Sequence, residues 1–170
     1  PLAPVVPHGI EFAGTGIAEK QPEITAELVK GDVDAVVLSA PDSIAWLLNI
    51  RGGDAPHSPV PHGFAILHTD GAMELFMDQR KLTAAARAHL GNCVTLRSPP
   101  DLGDALDGMG GDGKRVQVSD ATAPAWIVER LTSAGAELVR GGDPCVLPKA
   151  CKNSVELSGM RAAHLRDGAA

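Results

Sequence analysis

The 170-residue chain carries 21 Asp and Glu against 15 Lys and Arg, a formal net charge of −6, and it has only two Trp, three Phe and no Tyr. An acidic balance without a Lys/Arg run, and with too few aromatics to stack bases, excludes nucleic acid as a partner. No apolar run approaches the ~20 residues of a membrane span, the opening PLAPVVPHGI lacks the basic and apolar regions of a signal peptide, and three cysteines without a CxxC pair fit reduced cytosolic thiols.

Residues 1–13, with three prolines in the first seven positions, read as an incoming linker, and the domain proper is expected over 14–148. Residues 22–29 are compatible with a helix that turns Ile24 and Leu28 inward and ends at Gly31. The run VDAVVLS over 33–39 is short, apolar and β-branched, as suits a strand buried on both faces. Pro41 then marks a helix start, with Asp42 or Ser39 available as its cap, and Gly52 a stop. On that helix Ile44, Leu47 and Leu48 share one face. Trp46 and Ile50 lie four apart on the other with Asn49 beside them, so the segment offers apolar surface in two directions. Arg51 and Asp54 flank Gly52-Gly53, and Pro56, Pro59 and Pro61 should hold the following loop extended, as a stiff lip beside a cleft.

Residues 63–69 and 73–78 read as strands joined at Asp70-Gly71, a hairpin turn signal, and so as antiparallel neighbours. An alanine-rich helix over 80–90 stops at Gly91, a short strand covers 94–96, and a helix covers 101–109. A strand over 114–119, a helix over 121–134 closed by Gly135, and a strand over 137–140 follow. Asn153 with Glu156 three residues on has the form of a capping box, opening a last helix that runs to Ala170 and is dense in polar groups, hence poorly anchored. Strands and helices in alternation with one internal hairpin give an α/β domain: a mixed central sheet with helices on both faces.

The chemical motifs are weak. The run from Gly108 to Lys114 has GxxxxGK spacing, but Arg115 stands where Ser or Thr would bind magnesium, and the glycines precede a strand instead of following one, so a flexible turn is the better reading. His57, His62 and His68 are splayed by intervening prolines and read as solvated loop histidines instead of a metal cluster. Asp101, Asp104 and Asp107 read as a solvated helix face. With no GxSxG elbow, and no cysteine in a protease-like pattern, the chain holds no complete active site. Half-buried core for Trp46, and an ordinary helix exit for RGGD, is the bland reading of the central stretch.

The run SIAWLLNIRGGD, followed by a loop ending in Pro59-Val60, resembles the middle domain of the three-domain cytosolic Xaa-Pro aminopeptidases, the aminopeptidase P branch of peptidase family M24. Pro148-Lys149-Ala150, Lys152-Asn153, Glu156, Gly159-Met160-Arg161, Ala163-His164 and Arg166-Asp167-Gly168 are similar to the linker and first helix by which that family enters its catalytic domain, so residues 149–170 are expected to lead there. The resemblance implies a creatinase/prolidase N-terminal-type fold. It also implies a cytoplasmic parent that releases the residue ahead of a proline in second position, using two divalent metals, manganese, held in a C-terminal pita-bread domain. On that reading this chain holds no cofactor, is inactive alone, and shapes the substrate cleft with Trp46, Asn49, Arg51, Gly52 and Asp54. Its partners would be its own catalytic and N-terminal domains, a peptide with proline in second position, and a second copy in a homodimer. Gly53 where relatives often carry Ser, and His57, Ser58 and His62 in the later loop, put loop stiffness and substrate preference in doubt. The alternative is a free-standing binding or scaffold domain of the same fold without activity; a small independent α/β hydrolase lacks its nucleophile.

Overall fold

The computed structural model describes residues 2–169; Pro1 and Ala170, the outer ends of the expected linker and last helix, lie outside the described residues. Six strands make the central sheet: β2 (Ala35–Leu38), β4 (Phe64–His68), β5 (Met73–Phe76), β6 (Thr95–Arg97), β7 (Arg115–Ser119) and β8 (Glu137–Gly141), in the spatial order β6-β5-β4-β2-β7-β8. β2 runs antiparallel to β4 and parallel to β7, and the β4–β5 hairpin is antiparallel as its Asp-Gly turn requires, while β5–β6 and β7–β8 are parallel. The sheet is therefore mixed.

Alternation along β2 sends Val36 and Leu38 to one face, and Ala35 and Val37 to the other, and both faces are covered. The first face receives α2 (Ile17–Lys30) through Ile24 and Leu28, α3 (Pro41–Leu47) through Ile44 and Leu47, and α4 (Ala84–Leu90) through Ala86 and Leu90. The second receives α5 (Leu102–Gly111) through Leu102, Leu106 and Met109, and α6 (Ala125–Ala134) through Ile127 and Leu131. A fully buried Leu or Ile of this kind contributes ~1.5–3 kcal/mol of transfer free energy.

Two expectations are corrected, the start of α2 and the turn at the glycines of 108–111. α2 begins at Ile17, with Pro22 inside it, because packing of the Lys20, Ile24, Leu28 face outweighs the bond that Pro22 cannot make. The glycines of 108–111 are the end of α5, not a flexible turn: a Cβ on Gly110 would stand 2.3 Å from that of Ala134, so glycine lets α5 and α6 approach closely. Trp126 is 48% exposed and carries the Arg130 guanidinium over its ring at 5.4 Å. Asp107 is exposed, as expected of a solvated face, and pairs there with that Arg130 through two bonds of 2.8 Å.

Two short pieces stand apart from the sheet. The leading segment forms β1 (Val6–Pro7), paired antiparallel with β3 (Ile50–Arg51), then α1 (Ile10–Ala13), and Val5 is fully buried. At the far end α7 (Val146–Ala150) precedes α8 (Ser154–Ala169), of which no residue is buried. The capping box is formed: Asn153 Oδ1 accepts from the N–H groups of Val155 and Glu156, and Glu156 Oε2 accepts from Asn153 N–H.

Candidate functional site

The rim begins where β2 hands over to α3. Pro41 occupies the first helical turn, but the N-cap is Ala40 without a side-chain bond: Ser39 is bonded to Thr122 at 2.9 Å, and Asp42 pairs with Lys149. The helix is also shorter than its sequence suggests. It ends at Leu47 with Leu48 as its C-cap, and Asn49 enters the left-handed region at φ 47°, a conformation that Asn tolerates better than other side chains. The chain swings out, so Ile50 is not on the helix at all. It is fully buried in β3 against the leading strand, and the second apolar face rests on Trp46 alone.

Gly52 is needed for contact, not for stopping the helix: a Cβ there would meet the Pro61 ring at 2.8 Å. The loop does not run extended. Gly52 N–H donates to Pro59 O at 3.2 Å and Asp54 N–H to Val60 O at 3.3 Å, folding 52–60 back on itself with residues 56–59 exposed at the tip. Asp54 closes the fold. Its carboxylate accepts from His62 N–H at 2.7 Å and pairs with Lys81, both side chains being buried. Burial opposes its charge, but the Lys81 bond and the His62 N–H outweigh that and hold its pKa below the usual carboxylate range.

Of the five predicted residues, then, Trp46 and Arg51 are partly exposed, Asn49 is buried, and Gly52 and Asp54 hold the loop. The two exposed ones open into different hollows. Arg51, its guanidinium donating to Ile50 O at 2.9 Å and Ala45 O at 3.3 Å, borders a groove of about 830 Å³ between α1 and α8. His8, Glu11, Phe12, Glu156, Met160 and Arg166 line it too. Burial, opposed by Glu156, lowers the Arg51 pKa. Burial, with Arg51 and Lys20 nearby, lowers that of His8. Trp46 borders a hollow of about 150 Å³ with Lys20 and Asn153, and Glu156 touches both spaces.

Two lysines that sequence reasoning missed hold this region together: Lys20, 3% exposed, and Lys81, 4% exposed. Lys20 was legible in principle, since it stands four residues before Ile24 and eight before Leu28 on the inward face of α2. Lys81 lies on no periodic element and gave no signal. A third hollow, about 630 Å³, lies beyond the carboxyl ends of β2, β7 and β8, the usual ligand position in open α/β sheets. Its polar groups are largely spent on one another, Lys149 with Asp42 and Ser43, Asp143 with the Cys145 N–H.

The edge can hold a carbonyl or carboxylate against Arg51 and an apolar group against Trp46, Phe12 or Met160. Among the described residues no three His, Cys, Asp or Glu side chains converge on a metal position, and the described residues do not fit a dinuclear centre. No helix among them is long and apolar enough to cross a membrane.

Residues 1–156 match the family model described as the creatinase/prolidase N-terminal domain. A protein named "Probable Xaa-Pro aminopeptidase P" from Coccidioides posadasii (strain RMSCC 757 / Silveira) is 37% identical over 176 residues, covering 100% of this chain and 29% of that protein. One of the same name from Aspergillus niger is 34% identical, covering 96% and 27%. The chain thus spans less than a third of the curated relatives it matches. Among solved structures, the X-prolyl aminopeptidase of Caenorhabditis elegans, described as a cytosolic enzyme with a di-nuclear active site, superposes with a TM-score of 0.87 at 26% identity, over 98% of this chain and 28% of that one. The N-terminal domain of the cytoplasmic peptidase PepQ from Mycobacterium tuberculosis H37Rv, at 16% identity and a TM-score of 0.56 over 74% of this chain and 95% of that one, shares the fold.

Proposed function

The chain belongs to the creatinase/prolidase N-terminal domain family, and on that premise we propose that it is the non-catalytic middle module of a metal-dependent Xaa-Pro aminopeptidase, where it shapes and covers the substrate cleft. One observation carries the reading. Seven of the eleven exposed large hydrophobic side chains, Leu2, Val6, Ile10, Phe12, Leu157, Met160 and Leu165, belong to the leading segment, α1 and α8, the elements around Arg51, whereas Val29, Trp126, Val146 and Leu147 lie on α2, α6 and α7. Apolar surface concentrated on neighbouring elements beside a charged rim is what an intramolecular partner would cover.

In this reading the leading segment brings the chain in and folds onto the module's edge, 14–148 is the module proper, and 149–170 lead toward the catalytic unit. Trp46 supplies an apolar wall and Arg51 binds a carbonyl or carboxylate of the peptide, while Asn49, Gly52 and Asp54 hold the loop that presents them. The hydrolytic metals, manganese in the family resemblance, belong to the catalytic unit, and no chemical step is assigned to this chain. The parent is cytosolic, as the nematode enzyme is described, and takes peptides with proline in second position. Its homodimeric state is carried on the resemblance alone.

Replacing Arg51 by Ala in the full-length enzyme should lower kcat/KM roughly tenfold, the order expected for one lost charge-assisted hydrogen bond, with metal content unchanged. Unaltered kinetics would remove the role. The 170-residue chain alone should show no turnover of an Xaa-Pro peptide with added manganese.

A further inference from the structure

Lys20 makes no ion pair within 4 Å among the described residues, yet it is almost fully buried. Its ammonium donates to Trp46 O at 2.8 Å and to Asn49 Oδ1 at 2.7 Å, and lies 4.5 Å from the centre of the Trp46 ring. Asn49 passes the connection on, its Nδ2 donating to Thr15 O at 2.8 Å. The next member is Asn153, whose Nδ2 donates to Ala13 O at 2.8 Å and reaches Thr15 Oγ1 at 3.4 Å. Gly14, at φ 70°, makes the approach possible, since a Cβ there would stand 2.5 Å from Asn153 Oδ1. Polar contacts therefore run from α2 through the rim to the first residues of α8.

α8 buries no residue, so no packed face of its own fixes where it points. Its capping box decides that a helix starts at Ser154 but is internal to residues 153–156 and says nothing of direction. Direction comes from Asn153 Nδ2, which ties the cap to the body of the domain, and from contact with α1.

We propose that Lys20 is a positioning residue: through Asn49, Thr15 and Asn153 it sets the direction in which α8 leaves the domain, and so the seating of the catalytic unit over the rim. Only the last clause rests on the function proposed above.

The state of the ammonium is open to experiment. Burial lowers the Lys20 pKa from the ordinary lysine value to about 8, with Glu156 opposing and Arg51 assisting. Cys145 and Lys152 act on it more weakly, and Glu23 and Cys151 line the same hollow. His8 feels its charge. Between about pH 8 and the ordinary lysine value the folded chain holds fewer protons at Lys20 than the unfolded chain, so through this group global stability rises with pH. A loss of order confined to α8 over that interval cannot then be general loosening from Lys20.

The test is amide hydrogen exchange on the 170-residue chain, corrected for intrinsic rates, with Trp126→Phe so that emission reports Trp46 alone. As pH rises through 8, Trp46 emission should titrate and protection at 155–165 should fall about fivefold, the order expected for losing one hydrogen bond, while amides of β2 keep theirs. Lys20→Met should show the same loss in α8 already at pH 7 with no further pH response, and Lys30→Met, on the exposed face of α2, should behave as wild type. If α8 protection does not follow the Trp46 titration, the proposal is overturned, whatever Lys20→Met does to overall stability. In the full-length enzyme Lys20→Met should lower kcat/KM. Should the relay hold in the isolated chain while the enzyme's kinetics stay unchanged, the positioning of α8 stands and the cleft reading fails.

Discussion

Lys20 and Lys81 are buried to nearly the same degree on either side of the rim, and the domain treats them differently. Lys81 faces the Asp54 carboxylate, and both side chains are closed off from water; His62 N–H donates to the same oxygen, Asp54 Oδ2, and His62 O accepts from the ammonium, while Asp54 Oδ1 has no partner among the described residues. Lys20 faces a carbonyl, an amide oxygen and an indole ring, with no carboxylate in reach among the described residues. A full counter-charge locks the loop 52–62 to the turn ahead of α4 and favours the ionised Asp54 carboxylate. Dipoles and a π-face hold Lys20 without a counter-charge, and burial brings its titration down to about pH 8. The first arrangement anchors the loop, and the second stands where Asn49 and Asn153 meet.

The contrast is sharpest in stability. Asp54→Ala would strand a buried ammonium at Lys81 and should cost about 3–5 kcal/mol in urea unfolding. Joining Lys81→Met to Asp54→Leu should recover most of that loss, because a buried pair replaced by apolar side chains is often close to neutral. Lys20→Met should cost less, about 1–2 kcal/mol: two acceptors lose their donor, but a charge disfavoured by burial is also removed. Equal costs for Asp54→Ala and Lys20→Met would break the distinction.

The pH profile separates them next. Asp54, with its folded pKa lowered, contributes stability above the ordinary carboxylate value that is lost as pH falls through the folded pKa. Lys20 works in the other direction: its penalty is present below about pH 8 and is relieved as pH rises toward the ordinary lysine value. Chemical denaturation in the acid limb should therefore flatten in the double variant at 54 and 81, and in the alkaline limb in Lys20→Met.

Local signals made most of the fold legible. The VDAVVLS run gave β2, and Asp70 with Gly71 gave the β4–β5 hairpin, realised by the Ala72 N–H to Asp70 Oδ1 bond of 2.8 Å. Asn153 and Glu156 gave the last capping box. The rim was harder because its conformation is decided at long range. Ile50 leaves helical geometry to pair with Pro7, which no local periodicity encodes, and within the leading segment Pro7 sits on an edge strand. The helix stop that the sequence led one to expect at Gly52 falls instead at Asn49, which takes a left-handed conformation and accepts a bond from Lys20, a partner on another helix. Trp46 was expected on the outward face of the segment and Arg51 on the rim after it, but their opening into separate hollows follows from the placement of α8.

The central claim is that the edge formed by the leading segment, α1 and α8 is covered by another part of the same enzyme. Hydroxyl-radical footprinting of the 170-residue chain and of the full-length enzyme measures it directly, with the exposed Trp126 on α6 as internal reference. Phe12 and Met160 should react readily in the isolated chain and be protected severalfold in the enzyme, while Trp126 reacts alike in both. Equal reactivity of Phe12 and Met160 in the two forms would contradict the account.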